Sequence, residues 1–332
     1  MKDKLINKIF NINSPEAFEQ TALEVFRYQY ENVSVYRKFC DLMRVTVDAV
    51  STSKEIPFLP IQFFKSQQII AERLTPQTVF TSSGTTGQIT SKHYVYDLEL
   101  YERTFSDIFK QFYGAPSDYV ILALLPSYME REGSSLIYMV QKLIDKSGNE
   151  KSGNEKSGFY LHNLEALAAQ LNALDQENSK VILIGVSYAL LDLIELQKFN
   201  LQNTIIMETG GMKGRRREMV KAELHETLKQ GFGVRQIHSE YGMTELLSQA
   251  YSSGDGKFSC PPWMKIYTRD SEDAKTLIRG KTGGINVIDL ANLFSCAFIA
   301  TQDLGVVNED GTFEIRGRFD ASDIRGCNLM IL

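Results

Sequence analysis

Several short segments of this sequence carry the residue types that phosphate, ribose and metal chemistry require. One is a loop rich in glycines and hydroxyls that follows a predicted strand at Thr78 to Phe80 and consists of Ser82, Ser83, Gly84, Thr85, Thr86 and Gly87. Glycines allow a tight turn, and hydroxyls together with backbone amides can bind phosphate oxygens. The Gly-Lys-Ser/Thr of a Walker A loop is missing. The pattern therefore predicts either a phosphate-binding loop of another kind or an ordinary turn.

A pair of glycines follows another predicted strand, at Thr204 to Met207. The pair is Gly210-Gly211, and Met212 comes next. In open α/β sheets, ligands bind just beyond the carboxyl ends of the strands. Adjacent glycines at such a place would let a flat heterocycle approach the backbone. The alternative is a plain strand-to-helix turn, with the arginines at 215–217 in solvent.

The third segment combines an aromatic ring, a hydroxyl and a carboxylate within five residues, Tyr241 to Glu245. Tyr241 could stack on a base, and Gly242 follows it directly. Thr244 could bind a phosphate, and the Glu245 carboxylate could hold a hard Mg²⁺ ion. A glutamate after a threonine is also an ordinary helix-start pattern.

The last segment pairs an acid with a base. Asp303 lies in Thr-Gln-Asp-Leu-Gly, and Arg318 lies in Gly-Arg-Phe-Asp. An acidic side chain suits ribose hydroxyls, and an arginine suits phosphate or ribose oxygens. Asp-Leu-Gly is also an ordinary turn sequence.

The elements that must position these segments alternate between helix and strand. Residues 1–50 have helical spacing, with Ser14-Pro15-Glu16 as a helix start, and further helices are predicted at 97–113, 134–144 and 164–174. Continuous apolar runs at Tyr119 to Leu125 and Lys180 to Gly185 are typical of strands buried on both faces of a parallel sheet. Past Gly283 the pattern changes to short strands and turns, which predicts a smaller β-rich subdomain. The fold class is therefore α/β.

Composition limits the partners and the compartment. The chain has 332 residues, 43% of them hydrophobic, and a formal net charge of −5. This charge argues against a nucleic acid as the main partner. The N-terminus does not have the pattern of a signal peptide, and no apolar run is long enough to span a bilayer, so we expect a cytoplasmic protein without membrane insertion. A pentapeptide repeat at 146–158 contains no apolar residue and predicts a flexible surface insertion.

Taken in order, these segments resemble the adenylate-forming superfamily, which includes acyl-CoA ligases, peptide-synthetase adenylation domains and firefly luciferase. The resemblance spans about residues 78–327. It implies stacked β-sheets with helices, and a reaction in which a carboxylate attacks the α-phosphorus of ATP to give acyl-AMP and pyrophosphate with Mg²⁺. The loop from Ser82 to Gly87 would then bind the β- and γ-phosphates.

The other roles implied by the resemblance follow the same order along the chain. Gly210, Gly211 and Met212 would flank the adenine, Tyr241 would stack on it, and Gly242 would belong to the same ATP-binding segment. Thr244 would contact the α-phosphate and Glu245 would bind Mg²⁺, while Asp303 and Arg318 would hold the ribose. Lys92 and His93 follow the first loop as candidate catalytic residues. Lys92 stands two places later than the usual lysine of the superfamily, so its role departs from the family pattern.

The C-terminus departs further from full-length members, which carry a mobile lid domain after the Gly-Arg-x-Asp hinge. Here only Ala321 to Leu332 follow. We therefore expect an adenylating domain at 1–318 without that lid, and a short tail at 319–332. This arrangement resembles the acyl-protein synthetase branch of bacterial fatty-acid reductase complexes, in which a cysteine near the C-terminus takes the acyl group and passes it to a partner reductase. Cys327 matches that cysteine.

The prediction is thus an enzyme that activates a carboxylic acid, and more specifically a fatty acid, and transfers it to Cys327. One alternative is a minimal acyl- or aryl-CoA ligase, and another is a non-catalytic nucleotide-binding or partner-binding module. Cys327 could also be an inert thiol. The remaining cysteines, Cys40, Cys260 and Cys296, show no metal-binding or disulfide pattern and are expected to be structural.

Overall fold

The computed structural model describes residues 2–83, 89–126, 133–148, 155–161, 163–211, 216–217 and 219–319. The chain divides into two compact units, each built from separate stretches. The first unit comprises residues 1–104, 243–248 and 259–332, and the second comprises residues 105–242 and 249–258. Helices and sheets are mixed along the chain, which confirms the predicted α/β class.

Helices and strands are numbered separately in chain order. The α-helices are α1 (Lys2–Phe10), α2 (Pro15–Asn32), α3 (Ser34–Leu42), α4 (Phe63–Ser66), α5 (Leu98–Tyr113), α6 (Ser135–Asp145), α7 (Leu164–Gln176), α8 (Ser187–Leu196) and α9 (Lys221–Phe232). The strands are β1 (Leu59–Pro60), β2 (Thr78–Thr81), β3 (Lys92–Val95), β4 (Val120–Leu124), β5 (Gly158–Tyr160), β6 (Val181–Val186), β7 (Thr204–Thr209), β8 (His238–Tyr241), β9 (Ala250–Ser252), β10 (Met264–Arg269), β11 (Leu277–Ile278), β12 (Gly283–Asp289), β13 (Phe298–Val307) and β14 (Phe313–Arg318).

The first unit begins with the predicted N-terminal helices. Ser14 caps α2, because its hydroxyl accepts a hydrogen bond from the amide of Ala17 (3.1 Å), and Pro15 fits the first turn, where its missing N–H costs nothing. The inward face of α2 carries the fully buried Val25 and Phe26. The predicted helical start is confirmed.

A mixed sheet forms the centre of the first unit, in the order β1-β13-β12-β10-β11, with β14 paired to β13. All of its pairs are antiparallel except β1 with β13. Every residue of β12 is buried. A separate antiparallel pair, β2 and β3, carries the two ends of the glycine and hydroxyl loop.

The sheet of the second unit runs in the order β5-β4-β6-β7-β8-β9. Its pairs are parallel as far as β8, and β9 is antiparallel to β8. Strands β4 and β6 are buried along their whole length, as the continuous apolar runs predicted. The carboxyl ends of β7 and β8 therefore lie next to each other, and each leads into a predicted ligand-binding segment.

Two expectations need correction. The strands after Gly283 do not form a subdomain of their own, because β13 pairs with β1 from the N-terminal part of the chain, with Leu59 opposite Ile299. The repeat at 146–158 is not wholly a surface insertion. Ser147 near its start is buried and bonds the Ser157 hydroxyl (2.7 Å), and that hydroxyl accepts a hydrogen bond from the amide of Ile121 (3.0 Å). Hydroxyls can be buried where they find partners, which a count of apolar residues does not reveal.

Among the residues that the structure describes, no helix combines the length and the apolar character that a membrane span requires.

Candidate active site

The base of the predicted phosphate loop is closed by a pair of serines in the first unit. The amide of Ser82 donates to the carbonyl of Ser91 (3.1 Å), and the amide of Ser91 donates to the Ser82 hydroxyl (2.9 Å). These bonds continue the ladder of β2 and β3, in which Thr81 lies opposite Lys92. Ser83 and Lys92 are exposed. The remaining loop residues that were predicted to bind phosphate, Gly84, Thr85, Thr86 and Gly87, lie outside the described residues.

Glu245 lies beside this closed base. The Ser91 side chain forms a hydrogen bond with its carboxyl group, and the charges of Asp303 and Arg318 act on the same group. Glu245 is only 5% exposed. Burial raises the pKa of Glu245, while the Ser91 hydrogen bond and the Arg318 charge oppose the rise. A buried carboxyl of this kind is stabilised in its charged form when a cation binds it.

Asp303 and Arg318 are brought together by strand register. They lie opposite each other on β13 and β14, and Nε of Arg318 lies 3.1 Å from Oδ1 of Asp303. The arginine side chain is 69% exposed, whereas that of Asp303 is 12% exposed. Because the arginine is largely exposed, this ion pair contributes little to stability, and both side chains are suited to binding a polar ligand. Gly305 of the same motif has to be a glycine, because an added Cβ would lie 2.2 Å from the carbonyl oxygen of Glu314.

His93 does not lie open toward a ligand. It is 1% exposed, and its ring contacts the backbone carbonyl of Thr244 through Nδ1 (2.8 Å) and the side chain of Asn292 through Nε2 (3.0 Å). Burial lowers the pKa of His93 to about 4, although both contacts oppose the shift. The ring is therefore neutral at physiological pH. The sequence marked His93 as a candidate catalytic residue, and in the structure it supports the Thr244 backbone.

The predicted adenine-binding segments both belong to the second unit. Gly210 follows β7 with a φ of +70°, a left-handed conformation that favours glycine, and Gly211 has open space where a side chain would start. Tyr241 ends β8, is 8% exposed and packs edge-on against Phe258 with ring centroids 5.9 Å apart. An added Cβ at Gly242 would lie 2.4 Å from a carboxyl oxygen of Glu240. Met212 lies outside the described residues.

A buried acidic pair under these segments was missed from the sequence. Glu208 and Glu240 are 2% and 8% exposed, and they stand near the ends of the adjacent strands β7 and β8. Glu208 pairs with Lys221 (2.6 Å) and lies near His225, while Glu240 accepts a hydrogen bond from the Thr209 hydroxyl. The only sequence signal was a glutamate directly after a predicted buried strand, and exposed glutamates occur at the same position.

The two acids have opposite pKa shifts. Burial alone would raise the pKa of Glu208, but the Lys221 ammonium and neighbouring hydrogen bonds lower it to about 2. Burial raises the pKa of Glu240 to about 7, and the charge of Glu208 adds to the rise. Glu208 is therefore charged at neutral pH, whereas Glu240 sits near its titration midpoint.

Within the first unit, the structure thus brings together the Ser82–Ser91 base, Thr244, Glu245, Asp303 and Arg318. Within the second unit, it brings together Gly210, Gly211, Tyr241 and Gly242. The chain passes from one set to the other across the Gly242–Met243 peptide bond. A site with a single glutamate suits a hard Mg²⁺ ion, because the ion can take one carboxylate oxygen from the protein and further ligands from phosphate oxygens. Cys327 lies outside the described residues.

Comparisons with known proteins identify the family and the fold. A model of the family described as "Acyl-protein synthetase, LuxE" matches residues 10–332. The long-chain-fatty-acid–luciferin-component ligase of Vibrio harveyi is 24% identical over 327 residues, with 92% of this chain and 84% of that protein covered.

Solved structures share the fold. A 2-hydroxyisobutyryl-CoA ligase in complex with 2-HIB-AMP and CoA gives a TM-score of 0.65 at 13% identity and covers 93% of this chain and 70% of its own. ATP-bound MatB from Rhodopseudomonas palustris gives 0.53 at 18% identity and covers 72% of this chain, which spans about half (47%) of MatB. Because the family match extends over nearly the whole chain and the fold is that of adenylate-forming enzymes, the chain belongs to the acyl-protein synthetase (LuxE) family.

Proposed function

We propose that this protein uses ATP and Mg²⁺ to activate a fatty acid as its acyl-adenylate and then transfers the acyl group to its own Cys327. The carboxylate oxygen attacks the α-phosphorus of ATP, the bond to the bridging oxygen breaks, and pyrophosphate leaves. In the second step the Cys327 thiolate attacks the acyl carbonyl, and AMP leaves with the electrons of the broken C–O bond. A thioester is the product.

One observation carries this proposal. Three segments that are far apart in sequence meet at Glu245: its own segment, the base of the hydroxyl loop through Ser91, and the strand pair that holds Asp303 and Arg318. A triphosphate, a metal ion and a ribose need hydroxyls, a carboxylate and a charged pair within one small region. That combination of groups is expected for a nucleotide-binding site and is unusual for a region whose only role is to pack against the rest of the protein.

The residues of the chain supply positioning and charge in this reaction. When bound, Mg²⁺ would neutralise phosphate charge and help pyrophosphate to leave. We assign Glu245 to hold it, Thr244 to bind the α-phosphate, and Asp303 with Arg318 to bind the ribose. Gly210, Gly211 and Tyr241 would enclose the adenine. Positioning of this kind can lower the barrier without a protein nucleophile in the first step.

The chemistry of the other cysteines supports Cys327 as the acyl acceptor. Burial raises the pKa of Cys40 to about 12 and raises those of Cys260 and Cys296 well above their ordinary value. These thiols are therefore protonated at neutral pH, and a protonated thiol is a poor nucleophile. Arg325 lies two residues from Cys327 in sequence and could favour its thiolate.

The nature of the substrate and of the partner follows from the relatives. The Vibrio harveyi protein is named as a ligase of long-chain fatty acids, which favours a fatty acid here as well. A thioester on the enzyme needs an acceptor, and a reductase that releases the aldehyde is the partner that the family implies. Substrate chain length and partner are both part of the proposal.

The direct test is the exchange of labelled pyrophosphate into ATP, which requires only the first step. We expect exchange that depends on a fatty acid and on Mg²⁺. Glu245→Ala and Asp303→Ala should each reduce it at least about tenfold, because loss of one charged contact costs ~1.5–3 kcal/mol. Glu226→Ala removes an exposed acid on α9 and is the matched control. Wild-type enzyme that shows no exchange with fatty acids of any chain length would refute the proposal.

A further inference from the structure

Both backbone carbonyls of the Thr244-Glu245 pair are bound by buried side chains of the first unit. Nδ1 of His93 lies 2.8 Å from the carbonyl oxygen of Thr244. The amide nitrogen of Asn292 donates to the carbonyl oxygen of Glu245 (2.8 Å). His93 and Asn292 are each 1% exposed and contact each other. Two neighbouring buried side chains, His93 and Asn292, therefore bind the backbone of the two residues that we assign to the α-phosphate and to Mg²⁺.

The orientation of the Asn292 amide follows from its partners. Its nitrogen donates to two carbonyls, those of Glu245 and Cys296 (2.9 Å), so its oxygen faces His93. A reversed amide would place its oxygen against both carbonyls and lose two hydrogen bonds to gain one. The Thr244 carbonyl and the Asn292 oxygen both only accept, and a neutral His93 ring has a single N–H to donate. With that proton on Nδ1, at the shorter contact (2.8 Å against 3.0 Å), the ring donates to Thr244 and makes only a packing contact with the Asn292 oxygen.

This support is specific to Thr244 and Glu245. The next contact along the segment is made by Asp289, whose carboxylate accepts from the amides of Leu247 and Ser248 (2.8 and 2.9 Å). Gln29 on α2 donates to the carbonyls of Asn292 and Leu293 (2.9 Å each) and accepts from the amide of Ala297 (3.0 Å), all in the turn that follows β12. The turn between β12 and β13 thus contributes the Asn292 amide, which binds the Glu245 backbone, and is itself bound by a second amide, that of Gln29 on α2.

We propose that Asn292 and His93 are positioning residues of the adenylation site, which fix the Thr244-Glu245 backbone so that the Glu245 carboxylate is directed to Mg²⁺. This inference rests on the proposed function, because it takes Glu245 as the metal-binding residue. Neither side chain touches the reacting atoms. A bound cation requires its carboxylate ligand to be held in place, and a ligand held only by its own flexible backbone would bind more weakly.

The test compares two amide-to-acid changes, one at Asn292 in the turn and one at Gln29 of α2, which binds that turn. Asn292→Asp keeps the size of the side chain and replaces the donor that holds Glu245 by an oxygen. Gln29→Glu makes the same chemical change at an equally buried residue whose hydrogen bonds go to the backbone of the turn. We expect both variants to lose stability, and only Asn292→Asp to raise the Mg²⁺ concentration for half-maximal pyrophosphate exchange, by at least about tenfold.

A readout without turnover separates positioning from folding. Hydrogen–deuterium exchange of peptides that cover residues 243–248 should quicken in Asn292→Asp and stay near the wild-type rate in Gln29→Glu, each measured in the full chain without ATP. His93 provides a second pair of variants. Asparagine places an amide nitrogen near the position of Nδ1, so His93→Asn should retain most of the Mg²⁺ response, and His93→Ala should lose it.

The outcomes are distinguishable. Equal Mg²⁺ responses and equal amide exchange in Asn292→Asp and Gln29→Glu would overturn the positioning role, even with wild-type exchange intact. Wild-type protein without carboxylate-dependent exchange would instead refute the proposed function. In that case the hydrogen–deuterium exchange still reports whether His93 and Asn292 hold the segment.

Discussion

Burial alone does not decide the charge of a carboxyl group, as Glu208 and Glu240 demonstrate. Both lie deep in the second unit on adjacent strands. Glu208 has the Lys221 ammonium at 2.6 Å, which stabilises its charged form. Glu240 has the neutral hydroxyl of Thr209 as its hydrogen-bonding partner and the charge of Glu208 nearby. The more isolated acid therefore keeps its proton at a higher pH.

The raised pKa of Glu240 has a consequence for stability. Its folded pKa of about 7 lies above the ordinary 4.5, so the folded protein binds the proton more tightly than the unfolded chain does. This contribution is fully present below pH 4.5 and is lost as the pH rises through 7. Between about pH 5 and about pH 8, the wild-type protein should lose about 2–3 kcal/mol relative to Glu240→Gln.

Urea denaturation at the two pH values measures this difference directly. Glu72→Gln is the control, since its carboxylate is 48% exposed and pairs with Arg37 on the surface. A constant gap between the wild type and Glu240→Gln at both pH values would show that Glu240 does not titrate as the structure requires.

The sequence singles out candidate site residues by local motifs, and their roles stay predictions. Tyr241, Glu245, Asp303 and Arg318 stand out because their motifs are local. His93 was predicted to be catalytic, yet its partners are 151 and 199 residues away along the chain. Asn292 and Glu240 could not be found, because only the folded chain reveals which polar groups a buried amide or carboxyl meets.

At the scale of elements, the close packing of α8 and α9 depends on one glycine. An added Cβ at Gly231 would lie 2.5 Å from Cδ1 of Ile194, a side chain that is 2% exposed. Helix propensity alone would favour alanine over glycine by about 1 kcal/mol. The overlap reverses that preference, because backbone and side chain have to move apart.

We therefore expect Gly231→Ala to destabilise the protein by about 1–3 kcal/mol. Thermal or urea unfolding measures the effect. Gly158→Ala is the matched control, since no atom lies within 4 Å of its added Cβ, and it should be close to neutral. A gain in stability from Gly231→Ala would mean that helix propensity outweighs the contact with Ile194.

Strands and helices with strong patterns were predictable, and the pairing of distant elements was not. Continuous apolar runs located β4 and β6, and the Ser14-Pro15 start located α2. The short strand β1 has only two residues, and its partner β13 follows more than two hundred residues later. No local sequence pattern predicts the pairing of two strands so far apart along the chain. The β-rich part was therefore mistaken for a separate subdomain.

At the scale of the whole chain, the segment that carries Thr244 and Glu245 belongs to the first unit, whereas the residues on either side of it belong to the second. The short stretch from Met243 to Ser248 is held there by His93, Asn292 and Asp289. The residues that we propose for adenine (Tyr241, Gly242) and for the α-phosphate and Mg²⁺ (Thr244, Glu245) are thus close in sequence and belong to different units.

The two steps of the proposed reaction need different parts of the chain, and they should therefore separate by mutation. In this proposal, adenylation would use the site residues between Ser82 and Arg318 and no thiol, whereas acyl transfer would need the Cys327 thiolate. Cys327→Ala should leave fatty-acid-dependent pyrophosphate exchange within about twofold of wild type and abolish covalent labelling by a radioactive fatty acid in the presence of ATP. Cys260→Ala is the control and should still be labelled, because burial keeps the Cys260 thiol protonated by raising its pKa.

Hydroxylamine should release the label from the wild-type protein, since it cleaves thioesters. Retained labelling in Cys327→Ala would exclude that residue as the acceptor. Labelling that is absent from the wild type, together with intact exchange and formation of acyl-CoA on addition of CoA, would favour direct release to CoA instead. Each result supports or excludes Cys327 as the acceptor, because the first step is measured independently in the same protein.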